Sequence, residues 1–377
     1  MIYLDNAATT KPSQEAIDNF VDVSKHHWGN PSSMNNSLGQ NAHSYLDEAR
    51  RIVAECIGAE PEQIIFTSGS TEGANTIIQG QIPRGEEKNW CIVTTAMEHP
   101  CVYNTAKYME TCGVALKILD NPVIDLHEFA KIIADVSDAY EHVLVCIMEI
   151  NNETGMAEPI DLIAKVTAEY PNVLLFTDMT QSVAHMPSLD VKALGIDFAI
   201  ASAHKFNGFK GVGFIYVKEP SKMRPFMYGG HQEFGLRPGT ENVAGIYSMA
   251  LELQHARITR PRVAAPMERL LMKMVSKLEP TRDCFMDADN IISMTFDGVD
   301  ANKLITMLDL KGIIVSAGSA CSTGENKPSR ILKALGYTDE EAQSTIRVSL
   351  DANTTESDVD KFIAAVKEFI VWAKKEE

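Results

Sequence analysis

Apolar residues fall along this chain in short blocks, each followed by a longer stretch of mixed character. The blocks are Ile64–Phe66, Ile92–Thr94, Ala115–Leu119, Val143–Glu149, Val173–Thr177, Phe198–Ala201 and Gly213–Val217. They are rich in Val, Ile, Leu and Phe and lack a strict period of two. That pattern predicts strands buried on both faces, as in a mostly parallel sheet covered by helices. Gly73–Gln79, Leu126–Ala134 and Ile160–Glu169 carry helical spacing between them. The alternation predicts an α/β fold with function at the strand ends.

The texture changes after about residue 255. Met267–Leu278 is amphipathic, with Leu270, Leu271, Met274 and Leu278 on one face. The last helix carries Val359, Phe362, Ile363, Val366, Ile370 and Ala373 as its stripe, and Thr355 with Asp358 predicts a capping box at its start. A domain boundary is therefore expected within His255–Pro266, with 16–254 as the large domain and 255–377 as the core of a smaller one. A chain of 377 residues is too long for one ordinary core, which agrees with that division.

Charge narrows the function. Lys plus Arg is 34 and Asp plus Glu is 51, a formal net charge of −17. Such a chain binds nucleic acid poorly and is repelled by anionic lipid, and no run of basic residues offsets this. Its seven cysteines are irregularly spaced and contain no CxxC, as expected of reduced thiols in a cytoplasmic protein. No signal-peptide core opens the sequence, and apolar runs such as Val143–Met148 are far shorter than a membrane span. His and Cys show no metal-ligand spacing, so no metal site is expected.

Several segments at strand ends could carry chemistry. Ser202-Ala203-His204-Lys205 follows the strand Phe198–Ala201, and glycines at 208, 211 and 213 allow close backbone approach. Lys205 is either a surface lysine or a Schiff-base lysine. Thr67 to Gly73, with Ser70 and Thr71, opens a helix and could cap it or present N–H and hydroxyl groups to a phosphate. Asp178 closes its strand as a helix cap or as the partner of a protonated pyridine nitrogen, and Gln181 lies one turn on. His99, in Glu98-His99-Pro100, is structural or an acid–base group.

Cys321 lies in Ser316-Ala317-Gly318-Ser319-Ala320-Cys321-Ser322-Thr323-Gly324, where small polar neighbours suit an accessible, reactive thiol. The other six cysteines are expected to be structural, Cys101 standing apart for its closeness to His99. Arg347 sits in an apolar strand-like run and must be paired, by an internal salt bridge or by a substrate carboxylate.

Together these segments resemble the cysteine desulfurases of the class V aminotransferase group of pyridoxal-phosphate enzymes. The resemblance begins at Tyr3-Leu4-Asp5-Asn6-Ala7-Ala8-Thr9-Thr10 and runs through Asn30 to Ser33, Ser68 to Asn75, Asn151 to Gly155, Asp178 to Ser182, Ser202 to Lys205, Gly229 to Thr240, Gly318 to Ser322 and Ile346 to Leu350. It covers essentially the whole chain. It implies a fold type I homodimer, with residues 1–15 joining the small domain and the active site at the subunit interface. Lys205 would bind pyridoxal 5'-phosphate covalently, Asp178 would pair with its ring nitrogen and Gln181 with its hydroxyl. His99 would stack on the ring and shuttle protons. Ser70, Thr71, Ser202 and His204 would hold the phosphate, helped by Thr240 from a second subunit. Asn151 and Arg347 would hold the carboxylate of L-cysteine, and Cys321 would take its sulfur as a persulfide, leaving alanine.

The implied product pathway is sulfur supply for iron–sulfur clusters, thio-cofactors or tRNA through an acceptor or scaffold protein. Selenocysteine lyase, another class V aminotransferase and a weakly catalytic sulfur-relay subunit are the alternatives. Asn35, Met179, Phe209 and Pro238 depart from the residues usual at their positions, and none of them is a named catalytic group.

Overall fold

The computed structural model describes residues 1–186, 189–317 and 328–376. The backbone packs as two compact units: Met1–Thr10, Ile150–Ala157 and Thr259–Glu377 in the smaller, Lys11–Glu149 and Glu158–Ile258 in the larger. The chain opens on β1 (Ile2–Tyr3), which belongs to the smaller unit.

The larger unit is built on seven strands: β2 (Ile64–Thr67), β3 (Trp90–Thr95), β4 (Ala115–Leu119), β5 (His142–Cys146), β6 (Val173–Asp178), β7 (Phe198–Ser202) and β8 (Gly213–Val217). Their order is β2-β8-β7-β6-β5-β3-β4. The pairs β3·β4, β3·β5, β5·β6 and β6·β7 are parallel, while β8 runs antiparallel to both its neighbours. The mostly parallel sheet is as expected. The reversal of β8 follows from its connection: residues 203–212 are too few for a helical crossover, so the chain can only turn back.

Alternate residues of each strand enter different cores. Phe66, Val93, Val145, Leu175, Ala199 and Phe214 pack on one face, and Ile65, Ile92, Leu144, Phe176, Ile200 and Ile215 on the other. Two covered faces explain the unbroken apolar runs. Val143–Glu149 is an exception in length, because regular pairing stops at Cys146.

The helices α1 (Gln14–His26), α2 (Ser37–Ile57), α3 (Ser70–Gln81), α4 (Pro100–Thr111), α5 (Leu126–Ala139) and α6 (Ile160–Thr167) belong to the larger unit. Ser13, Asn36 and Asp125 cap α1, α2 and α5 through their side-chain oxygens. Gly73 lets α3 lie hard against the sheet: a Cβ there would stand 2.7 Å from Ile215 and 2.9 Å from Ile200. This contact places the start of α3 over the end of the sheet.

In the smaller unit, β9 (Ile291–Thr295), β10 (Ile313–Ile314), β11 (Ser316–Ala317) and β12 (Thr345–Ser349) join β1. β1 pairs with β10, and β11-β12-β9 form an antiparallel sheet. The helix Glu356–Glu376 buries Val359, Phe362, Ile363, Val366 and Phe369 in a core shared with Leu4, Leu304, Leu308 and Ile346. Its predicted capping box is present: the Asp358 N–H donates to the Thr355 hydroxyl at 3.2 Å and the Thr355 N–H to the Asp358 carboxylate at 3.1 Å.

The units divide after Ile258, within the helix Val243–Leu278, shortly before Pro261 and Pro266, each of which lacks a helix N–H donor. Residues 11–15 lie in the larger unit, where Asn207 donates to the Lys11 carbonyl at 3.0 Å and Ser13 to Glu252 at 2.6 Å. Two of the departing residues are packed there. Phe209 meets the ring of Phe20 at 4.8 Å between centroids, and Met179 is buried in the core. Among the described cysteines Cys112 is exposed, at the C-cap of α4.

One buried ion pair fixes an unusual turn. The Arg50 guanidinium of α2 donates to both carboxylate oxygens of Glu233, at 2.9 and 2.6 Å, and the Phe66 N–H donates to the same carboxylate at 2.7 Å. Glu233 and Phe234 both take left-handed backbone, at φ 48° and 57°. Arg50→Met strands the carboxylate in the interior, so we predict a loss of about 3–5 kcal/mol in urea unfolding. An unchanged unfolding midpoint would contradict this role.

Candidate active site

The C-terminal ends of β2, β6 and β7 bring most of the predicted residues of the larger unit together. Asp178, the last residue of β6, is buried; its carboxylate accepts the Thr180 N–H at 2.9 Å and its carbonyl accepts the Glu149 N–H at 3.1 Å. The Thr180 hydroxyl lies 2.6 Å from that of Ser70, and the Ser70 hydroxyl lies 2.8 Å from that of Ser202. The Ser70 N–H also donates to the Ser202 hydroxyl at 2.7 Å. A continuous polar chain thus links Asp178 to the first residue of α3 and to the last residue of β7. Gln181 is buried in the turn just beyond Thr180.

Glycine makes the approach of β2 to β7 and β8 possible. Gly69 precedes α3 at φ 145°, a conformation that side chains rarely adopt. A Cβ on Gly213 would stand 2.4 Å from the Ala201 carbonyl and 2.7 Å from the Gly69 Cα. The N-terminus of α3, with Ser70 and Thr71 in its first turn, therefore opens beside Ser202. Glu72 ties this turn down, accepting from the Ser68 N–H at 2.9 Å and from Arg237 at 2.8 Å.

His204 and Lys205 follow Ser202 in the short turn Ala203–Lys205, both half-buried. Burial, with the positive charges of Lys205 and Lys210, pushes the His204 imidazole down to about 4. The ring is neutral at neutral pH in a locally cationic corner, which favours an anion. Thr240 is exposed, next to Gly239 at φ 102°.

His99 is the N-cap of α4, and its Nδ1 accepts the Cys101 N–H at 3.2 Å. Before it, Glu98 is 1% exposed. One of its carboxyl oxygens accepts the Thr95 hydroxyl at 3.1 Å and the Met148 N–H at 2.9 Å. Burial, reinforced by the nearby Asp178 and Glu158, raises this acid to about 8 despite those two hydrogen bonds. Glu98 and Thr180 carry no warning in the sequence. Each lies beside a predicted residue, and proximity along the chain is the one signal that could have pointed to them.

The predicted residues of the smaller unit form their own cluster. Arg347, in β12, donates to the Asp5 carboxylate at 2.7 Å and to the Asn152 carbonyl at 2.8 Å. The other Asp5 oxygen accepts the Ser316 hydroxyl at 2.6 Å. The salt bridge considered from sequence is therefore present. The buried Arg347 Nε finds no partner among the described residues. The Asn151 side-chain oxygen Oδ1 accepts from Glu153 N–H, Thr154 N–H and the Thr154 hydroxyl, at 2.9, 3.0 and 3.2 Å. Cys321 lies outside the described residues.

The profile of the aminotransferase class-V family matches residues 2–362. The chain belongs to the class-V aminotransferase family. It is 34% identical to a cysteine desulfurase IscS of Dictyoglomus turgidum over 381 residues, covering 98% of this chain and 94% of that protein. It is 35% identical to cysteine desulfurase 1 of Trichormus variabilis over 383 residues, covering 98% and 93%. A solved NifS-like protein superposes with a TM-score of 0.88 at 31% identity, covering 98% of this chain and 99% of the other. A structure of SspA in complex with cysteine matches with a TM-score of 0.80 at 27% identity, over 94% and 100%.

Membership of the class-V family implies pyridoxal phosphate, and the residues present fit it. The group brings a phosphate, an aldehyde and a basic ring nitrogen. The larger unit offers a glycine-shaped helix N-terminus with two serine hydroxyls, a half-buried lysine three residues after Ser202, and a buried carboxylate on the same hydrogen-bonded chain.

Glu98 supplies a pH test. Its folded pKa is raised, so its contribution is fully present below its unfolded pKa and is lost as pH rises toward about 8. We predict that wild type loses stability relative to Glu98→Gln over that window, by up to about 1.4 kcal/mol per pH unit. Parallel urea curves for the two proteins at pH 5, 7 and 9 check this; a constant gap would refute it.

Proposed function

We propose that this chain is a pyridoxal-phosphate-dependent cysteine desulfurase that converts L-cysteine to L-alanine and carries the released sulfur as a persulfide on Cys321. The observation that carries the reading is the linked set Asp178–Thr180–Ser70–Ser202 with Lys205 three residues on, in a chain matched along nearly its whole length by proteins named cysteine desulfurase.

When bound, pyridoxal phosphate supplies an electron sink for the bond broken at the substrate α-carbon. The rest falls to the protein. Lys205 would hold the cofactor covalently, and its free amine would be the base that takes the α-proton. Asp178 keeps the ring nitrogen protonated, since a buried carboxylate favours a facing positive charge. Gln181 donates toward the ring hydroxyl. Ser70, Thr71, Ser202 and His204 receive the phosphate at the start of α3, and the exposed Thr240 completes that site in a second copy of a homodimer. His99 covers the ring and carries protons.

Asn151 and Arg347 orient the substrate carboxylate, the guanidinium already being aligned by Asp5. The Cys321 thiolate attacks the substrate sulfur. The carbon–sulfur bond breaks, a sulfur–sulfur bond forms, and the substrate β-carbon gains a proton to become the methyl group of alanine. A thiol acceptor then takes the outer sulfur and restores Cys321. The relatives named IscS support an acceptor in iron–sulfur assembly. Among the described residues no helix is long and apolar enough to cross a membrane.

The deciding measurement is alanine formed from L-cysteine by cofactor-loaded protein with a reductant present. Many turnovers are expected, and none with the cofactor bound would overturn the reading. Lys205→Ala should lose borohydride-trappable cofactor; trapping on another lysine would refute its role. Cys321→Ser should keep the cofactor and lose alanine formation by at least about a hundredfold. Undiminished alanine would remove Cys321 from the mechanism.

A further inference from the structure

His99 has two ring nitrogens, and its place at the head of α4 separates their duties. As N-cap, its Nδ1 accepts the backbone N–H of Cys101 at 3.2 Å. A nitrogen that accepts in the ring plane carries no proton of its own. The Cys101 sulfur lies 3.0 Å from the same Nδ1. That thiol is held neutral: burial first, then its acidic neighbours Asp178 and Glu98, push its pKa well up. A neutral thiol beside a bare ring nitrogen is a donor to it.

Cys101 is itself held at its backbone. The Thr105 hydroxyl donates to its carbonyl at 2.7 Å and reaches the Asn75 side-chain oxygen at 3.3 Å, while the Asn75 amide donates to the Thr71 carbonyl at 3.0 Å. The first turns of α3 and α4 are thereby stitched together beside the thiol. Thr95 and Met148, which touch the head of α4 through Glu98, bond its carboxyl.

We infer that Cys101 is a positioning residue that fixes His99 in the tautomer with a bare Nδ1 and its proton on Nε2. Proton traffic through His99 then runs by Nε2 alone. The inference rests on the reading of His99 as the proton carrier.

The test uses the holoenzyme labelled with nitrogen-15 histidine, with His99→Gln to assign the signals. Wild type should show Nδ1 as an unprotonated nitrogen and Nε2 as a protonated one. Cys101→Ala should move the Nδ1 signal, because one of its two donors is gone. It should also lower kcat with L-cysteine by about five- to tenfold while KM stays within about twofold. Cys101→Ser, which keeps a donor, should restore both. A protonated Nδ1 in wild type overturns the inference, as do nitrogen signals and turnover that Cys101→Ala leaves unchanged. The nitrogen signals do not depend on turnover. A wild type that makes no alanine therefore refutes the desulfurase reading alone, and the tautomer is still decided.

Discussion

Burying Asp178 at the end of a central strand costs free energy unless its surroundings compensate it. The carboxylate sits where β6 ends between two parallel neighbours, and it meets a backbone N–H from Thr180 as soon as the chain turns. From that point each polar group is answered by the next: Thr180 by Ser70, Ser70 by Ser202. The arrangement of α3, β6 and β7 keeps this chain satisfied in a buried region. The same arrangement leaves a negative charge at one end of the site and a helix N-terminus at the other, the polarity that a zwitterionic cofactor needs.

Glu98 shows how the surroundings of Asp178 act on a second acid. Both residues are buried, and Glu98 is raised to about 8, by burial first and with Asp178 among the further causes. Two carboxylates that share a buried neighbourhood resist ionising together. Glu98 also ties the ends of β3 and β5 through Thr95 and Met148. The acid before His99 thus shapes both the electrostatics and the backbone of the site.

Most of the larger unit was legible because strands buried on two faces leave unbroken apolar runs, and all seven runs correspond to strands. Strand direction was not legible: Gly213–Val217 is as apolar as its parallel neighbours, and the short connection before it decides the reversal. The chemistry-bearing residues announced themselves by type and place, as Asp178 and Lys205 do at strand ends. What escaped the sequence reading is their wiring. Thr180, Glu98 and the Cys101 contact with His99 depend on side chains meeting across elements, and no spacing rule encodes that. Arg347 shows the middle case, since its burial required a partner and the structure names Asp5.

The route of the chain through its two units bears on how the protein is made. Residues 1–10 belong to the smaller unit, yet Ile2 and Leu4 bond the carbonyls of Gly312 and Ile314, and Asp5 meets Arg347. On a ribosome these partners emerge only after nearly the whole polypeptide has been synthesised. Residues 1–10 are therefore made before the larger unit and are among the last to find their places, while the larger unit, with its strands all in place by Ile258, comes together much earlier. Chains cut short during synthesis would carry that larger unit and a β1 strand with nothing to pair with, an exposed edge of the kind that invites aggregation.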